Sequence, residues 1–137
     1  LFQMQPAHVY PQTTLDVHVT AAVVNTDVDA LALILRNLID NALKFSANSP
    51  APHVEIGGDR NAQHYRLFVR DNGVGFDLQY QERIFEIFQR LHRTEEYPGT
   101  GIGLAMVRKA LQRMHGRVWA ESQPGKGATF FMEIPLV

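Results

Sequence analysis

The sequence has no cysteine, which excludes disulfides, thiolate zinc sites and cysteine nucleophiles together. It has no apolar run approaching the roughly 20 residues that a membrane-crossing helix needs. The amino terminus, LFQMQPAHVYPQ, has neither a basic start nor a signal-like apolar stretch. A surplus of one charge is also missing: 13 Lys and Arg stand against 14 Asp and Glu, for a net charge of −1, and no long block of either sign occurs. Such a surface gives no reason to expect nucleic acid or an anionic membrane as partner. Internal repeats and low-complexity segments are absent. What remains is a chain of 137 residues, 45% hydrophobic and 20% charged, the size and composition of one globular domain. It begins with Leu rather than Met and is expected to be a piece of something longer.

Hydrophobic periodicity gives the elements. Residues 1–13, punctuated by Pro6 and Pro11, read as a tail or the end of a linker, and the domain proper as residues 14–137. TLDVHVT alternates Leu15, Val17 and Val19 with Asp16 and His18, as a half-buried strand does. From Asp27 the period changes: Leu31, Ile34, Leu35, Leu38, Ala42 and Phe45 form a helical apolar stripe, with Asp27 or Asp29 suited to cap its start. HVEIGG and HYRLFVRD read as strands joined by the turn DRNAQ, YQERIFEIFQRL as a short amphipathic helix, and a further helix starts near Gly101. RVWAES and ATFFMEIPL complete the strands, with Phe2, Trp119, Phe130 and Phe131 assigned to core or strand faces. Strands and helices mix without strict alternation, so the expected fold is a two-layer α/β (α+β) sandwich, with helices on one face of a mixed sheet.

Three stretches invite chemistry. Asn37, Asn41 and Lys44 recur at helical spacing beside the apolar stripe. Asn disfavours helix interiors, so two at this spacing ask for a reason. Either they decorate a helix edge, or their amide oxygens are hard, neutral ligands for Mg²⁺ with Lys44 beside phosphate. DNGVGFD, residues 71–77, contains the Asn-Gly of a tight turn, yet Asp71 ends a strand that should be buried. With Gly73 and Gly75 side-chain-free and Phe76 as anchor, the loop could hold a carboxylate against a flat heterocycle bearing an amino group. PGTGIGLA fits neither the P-loop nor the Rossmann fingerprint. Glycines opening a helix do let phosphate approach bare amides at the positive dipole end.

Together these residues resemble the ATP-binding catalytic domain of sensor histidine kinases, within the superfamily of gyrase, the Hsp90 chaperones and MutL. NLIDNALKFS is similar to that family's N box, DNGVGFD to its G1 box, RIFEIFQRLH to its F box, GTGIGLA to its G2 box and GKGATFFMEIP to its terminal strand motif. The order and spacing match, and the stretch from IFEIF to MVRK is most similar to phytochrome-like and PAS-linked kinases.

The resemblance implies a Bergerat-type ATP-binding fold and roles for particular residues. Asn41 is implied as the main Mg²⁺ ligand with Asn37 as helper, Lys44 as a phosphate contact, and Asp71 as acceptor for the adenine amino group. Gly73 and Gly75 would shape the base pocket, Phe45 lie along the nucleotide, and Arg90 reach the terminal phosphates. Gly99, Thr100, Gly101, Ile102 and Gly103 would form the hinge and phosphate loop, with Leu104 packing beneath, and residues 91–98 the ATP lid. Thr129 would approach phosphate.

Position 37 separates two chemistries. Hydrolysing relatives place a Glu one turn before the metal-binding Asn to activate water, whereas Asn37 cannot take a proton. A neutral imidazole already offers a lone pair, so phosphoryl transfer to histidine needs no base from this chain. The resemblance therefore favours a kinase over an ATPase, with a nucleotide-binding module that performs no transfer as the alternative. None of His8, His18, His53, His64, His92 and His115 has the sequence setting of the family's phosphoacceptor. That histidine is expected on a separate dimerising hairpin, with a response regulator downstream, a cytoplasmic location, and this fragment monomeric by itself. One departure is His115, where many relatives carry glycine. Gly116 is expected to supply the left-handed helix cap.

Overall fold

The computed structural model describes residues 12–20, 27–77, 83–85 and 103–136. Strand β1 (Thr14–Val19) leads to helix α1 (Val28–Ser46), followed by β2 (His53–Arg60) and β3 (His64–Asp71). A 3₁₀ turn (Arg83–Phe85), helix α2 (Gly103–Arg113), β4 (Arg117–Ser122) and β5 (Ala128–Pro135) complete the order. The strands form one sheet in the order β1-β2-β3-β5-β4, with β1 parallel to β2 and every other pair antiparallel. This is the expected mixed sheet, and the helices cover one of its faces.

Helix α1 forms where the 3.6-residue period begins. Asp27 is its cap: the Asp27 carboxylate accepts from the amides of Asp29 at 2.9 Å and Ala30 at 3.2 Å, while Asp29 meets the positive dipole end in the first turn. Its buried stripe of Ile34, Leu38, Ile39, Ala42 and Leu43 shares one core with Val107 and Leu111 of α2 and with Val54, Val69, Phe130 and Met132 of the sheet. Burying such side chains stabilises by roughly 1.5–3 kcal/mol each. The β2–β3 turn is closed by Asn61, whose side-chain oxygen accepts from the amides of Gln63 and His64. Within the predicted amphipathic helix, Ile84 and Phe85 are buried in the 3₁₀ turn, and the rest of that segment lies outside the described residues.

Two expectations change. The alternation in β1 is real, but Val17 and Val19 stay 58% and 51% exposed because β1 is the sheet's edge and α1 packs over β2 and β3. The cap of α2 is also different. His115 itself takes the left-handed conformation, with φ 61°, and Gly116 follows it. The amide of Gly116 bonds the Leu111 carbonyl at 2.8 Å and that of His115 bonds the Gln112 carbonyl at 3.1 Å, the pairing of a Schellman cap. Gly116 is needed for space instead, since a Cβ there would fall 2.5 Å from the Glu133 carbonyl oxygen.

The sheet's other face carries His18, Phe68, Phe131 and Trp119 in one cross-strand row. Phe131 and Trp119 stack at 5.2 Å, and Arg66 and Arg117 lie over the Trp119 ring at 5.3 and 4.4 Å. Both guanidinium groups bond the buried Glu133. Burial opposes ionisation of Glu133, but these two arginines outweigh it and hold the carboxyl below its usual range.

A left-handed non-glycine residue costs roughly 1–2 kcal/mol, partly offset by the greater entropy glycine loses on folding. His115→Gly is therefore expected to stabilise the domain by about 0.5–1 kcal/mol, read as a higher urea midpoint with unchanged slope. A lower midpoint would contradict the strain at position 115.

Candidate functional site

Helix α1 serves the core and the site from adjacent rows. Asn37, Asn41 and Lys44 are each half-buried beside the fully buried Leu38, Ala42 and Leu43. Asn37 donates its Nδ2 to the Leu33 carbonyl at 3.0 Å, which ties the amino end of the amide to its own helix. Its Oδ1 turns toward α2, where a Cβ on Gly103 would stand 3.0 Å away. The fold thus joins the first and third sequence stretches: the amide oxygen of Asn37 faces the first residue of a helix whose opening N–H groups carry the positive dipole end. A neutral amide oxygen there is a hard donor, the ligand type that Mg²⁺ accepts. Leu104 packs against the core from the same turn.

Asp71 ends β3 and is only 4% exposed. One carboxylate oxygen, Oδ1, accepts the Gly73 amide at 2.8 Å, and the other, Oδ2, is buried with no partner. Burial raises its pKa from 3.8 to about 6, against the pull of the Gly73 and Ala128 amides. A buried acceptor left unpaired costs stability, and its chemistry suits a ligand that brings an N–H donor.

The loop after Asp71 is seated by close approaches that only glycine permits. A side chain on Gly73 would collide with the Phe45 carbonyl at the end of α1. Gly75, at φ 67°, lies against the Gln123 carbonyl, and Gly127, at φ 79°, against that of Asp71. The Val74 amide reaches the Phe45 carbonyl at 3.3 Å, and Phe76 is buried against Phe130. This loop therefore brings Asp71, Gly73, Gly75, Phe76 and the Phe45 backbone together.

Three contributors escaped the sequence reading. Asn72 accepts from the His53 amide at 2.9 Å and donates to the Ala51 carbonyl at 2.7 Å, clasping the entry of β2 instead of making a hairpin. Ser122 and Gly127 hold the loop from the β4–β5 turn. Only the glycine-rich QPGKG hinted at the last of these.

Thr129 needs correction. Asp71 pairs with Ala128 across the sheet while Thr129 pairs with Arg70, so Thr129 belongs to the opposite face, its hydroxyl 3.4 Å from the Arg70 Nε. With Arg70, Glu121 and Lys126 it lines a cleft of about 500 Å³ whose lining also includes Asp71, Ser122 and Gly127. Arg90, Gly99, Thr100, Gly101 and Ile102 lie outside the described residues.

Residues 26–137 match the family described as histidine kinase-, DNA gyrase B-, and HSP90-like ATPase. The chain belongs to this family. Among relatives of this ATPase family, cyanobacterial phytochrome A of Nostoc sp. is 49% identical over 106 residues, covering 77% of this chain and 14% of that protein. Phytochrome-like protein Cph1 of Synechocystis sp. is 46% identical over 113 residues, covering 82% of this chain and 15% of that protein. The chain thus spans about one seventh of the length of these relatives. Among solved structures, a mycobacterial sensor histidine kinase, MprB, superposes with a TM-score of 0.83 at 26% identity, covering 95% of this chain and 86% of the other. Full-length ShkA in complex with AMPPNP superposes at 0.79 and 28% identity, covering 96% of this chain and 27% of the other. The two-layer α/β sandwich of the family is therefore the fold of this chain. Among the described residues no helix is long and apolar enough to cross a membrane.

Asp71 makes pH a test of the site. Its folded-state pKa is raised from 3.8 to about 6, so the charged carboxylate penalises the folded state above pH 6, and protonation removes that penalty as pH falls toward 4. Glu133 and Glu55 act oppositely. The hydrogen bond from His18, against burial and with help from Arg70, holds Glu55 below its usual range, so both carboxyls lose stabilisation in acid. The comparison is therefore with Asp71→Asn in the nucleotide-free protein. At pH 7.5 the variant is expected to be more stable by about 1–3 kcal/mol, with the gap closing toward pH 4. A gap independent of pH would remove the ionised Asp71 as its source.

Proposed function

We propose that this chain is the ATP-binding catalytic domain of a two-component sensor histidine kinase, occupying residues 14–137 after a connecting segment at 1–13. It would pass the γ-phosphoryl of ATP to a histidine on a separate dimerising hairpin of the same protein, and from there to a response regulator. The observation that carries this reading is Asn37, an amide where a hydrolysing enzyme needs a carboxylate, with its oxygen turned to the start of α2. The family match, the similarity to a sensor histidine kinase and the similarity to ShkA, solved in complex with AMPPNP, support it. The domain would work in the cytoplasm, monomeric by itself, without nucleic acid or membrane contact.

In this reading the unpaired Oδ2 of Asp71 accepts the adenine amino group, restoring the bond that burial denies it. Gly73 and Gly75 leave room for the flat base, and Phe45 lies along the nucleotide. Asn41, with Asn37 as helper, would hold Mg²⁺ through amide oxygens, and Lys44 would meet phosphate as a point charge. The bound ion would neutralise phosphate charge during transfer. Gly103 would offer backbone N–H groups to phosphate, continuing a loop from Gly99 through Ile102, with Arg90 at the terminal phosphates. The incoming imidazole nitrogen bonds the γ-phosphorus as the bond to the β–γ bridging oxygen breaks, releasing ADP. No side chain of this domain serves as nucleophile or base.

The deciding experiment mixes the chain with the hairpin domain of its own full-length protein and γ-labelled ATP in Mg²⁺. Acid-labile label on the hairpin histidine is expected, and nucleotide binding without transfer would instead make the chain a nucleotide-sensing module. Asn41→Ala is expected to lower Mg²⁺-dependent ATP affinity at least about tenfold, the equivalent of about 1.4 kcal/mol, with the thermal midpoint unchanged. Unaltered affinity would release Asn41 from the metal. Asn37→Glu is expected to raise ATP hydrolysis without hairpin above that of the wild type. If the wild type already hydrolyses as fast, position 37 does not separate the two chemistries.

A further inference from the structure

The base-binding loop leans on the β4–β5 turn more than on its own strand. Gly125 donates its amide to the Val74 carbonyl at 2.7 Å, and Phe76 donates its amide to the Ser122 hydroxyl at 2.9 Å. Ser122 in turn donates its only hydroxyl proton to the Gly127 carbonyl at 2.6 Å. That donation fixes the direction of the hydroxyl: its lone pair, not its proton, is left for Phe76. Gly127 lies against the Asp71 carbonyl so tightly that no side chain fits between them. One hydroxyl therefore links the far end of the loop to the residue that touches the backbone of Asp71. Apart from Ser122 and the Asp71 carboxylate, the hydrogen-bond partners of residues 73–77 described above are backbone groups, and the Phe76 ring packs on Phe130.

We infer that Ser122 is a positioning residue for base recognition, setting where the loop stands relative to the unpaired oxygen of Asp71. The inference rests on the reading of Asp71 as the base acceptor. Ser122 acts through Phe76 and Gly127, both of which it contacts, and the consequence is specific. Loosening the loop changes discrimination between bases, while the phosphate-facing residues on α1 and at the start of α2 stay in place. Small displacements of a positioned group are costly, because hydrogen-bond recognition tolerates only about half an ångström.

The test is calorimetric titration of the wild-type chain, Ser122→Ala and Ser122→Thr with ATP, GTP and inorganic tripolyphosphate in Mg²⁺, with thermal melts alongside. Wild type is expected to prefer ATP. Ser122→Ala is expected to lose about tenfold of that preference while binding tripolyphosphate within about twofold of wild type. Ser122→Thr, which keeps the hydroxyl, is expected to restore the preference. An alanine variant that melts lower but keeps the full preference would overturn the inference, leaving Ser122 a structural residue, as would a threonine variant that restores nothing. Should the alanine variant not fold, Ser122→Cys keeps the volume and weakens both bonds, and undiminished preference there overturns the inference equally. A wild type that binds tripolyphosphate but shows no base preference overturns the reading of Asp71 and this inference together, an outcome distinct from failure of Ser122 alone.

Discussion

The arrangement turns on one buried carboxylate whose second oxygen has no partner. Asp71 sits at the end of a central strand, nearly inaccessible, with one oxygen bonded and the other not. Everything around it limits how that second oxygen can be satisfied. The glycines at 73, 75 and 127 bring backbone in close, Phe76 is buried against Phe130, and Asn72 fixes the strand exit. The usual remedies of a buried acid, a neighbouring cation or a solvated rotamer, are not found among these contacts. A ligand with a donor in that place would gain from the protein's own unmet bond, which is how a site becomes selective without becoming sticky.

Helix α1 shows why the placing of the candidate residues could be read from sequence so directly. Its two functions occupy neighbouring rows of one helix, and both rows follow the same 3.6-residue period, so the apolar stripe that reveals the helix also locates Asn37, Asn41 and Lys44. The strands were legible for a similar reason, as was Asp71 at a strand exit. In each case the signal is local and periodic.

What stayed hidden depends on pairing between distant segments. Nothing near Thr129 tells which face of β5 it occupies; its partner Arg70, 59 residues away, decides that. Ser122 reads as one more polar strand residue until Phe76 and Gly127 are brought to it. At His115 the local rule was sound but assigned the left-handed turn to the wrong neighbour, because the space beside the Glu133 carbonyl claims the glycine at 116. The exposure of Val17 and Val19 likewise follows from β1 being outermost, which alternation alone does not encode.

The alternation of side chains across β3 also constrains its length. Asp71 and Arg70 are consecutive, one facing the helices and the other the arginine-bearing surface on the far side. Sliding β3 by one residue against β2 and β5 would exchange them, putting a guanidinium where an acceptor now stands and inverting the charge offered to a ligand. An insertion or deletion within this strand therefore cannot be absorbed as a change of length. It would exchange the side chain that the end of this strand offers on its helix-facing side, so in this chain the identity of that group depends on the strand's length.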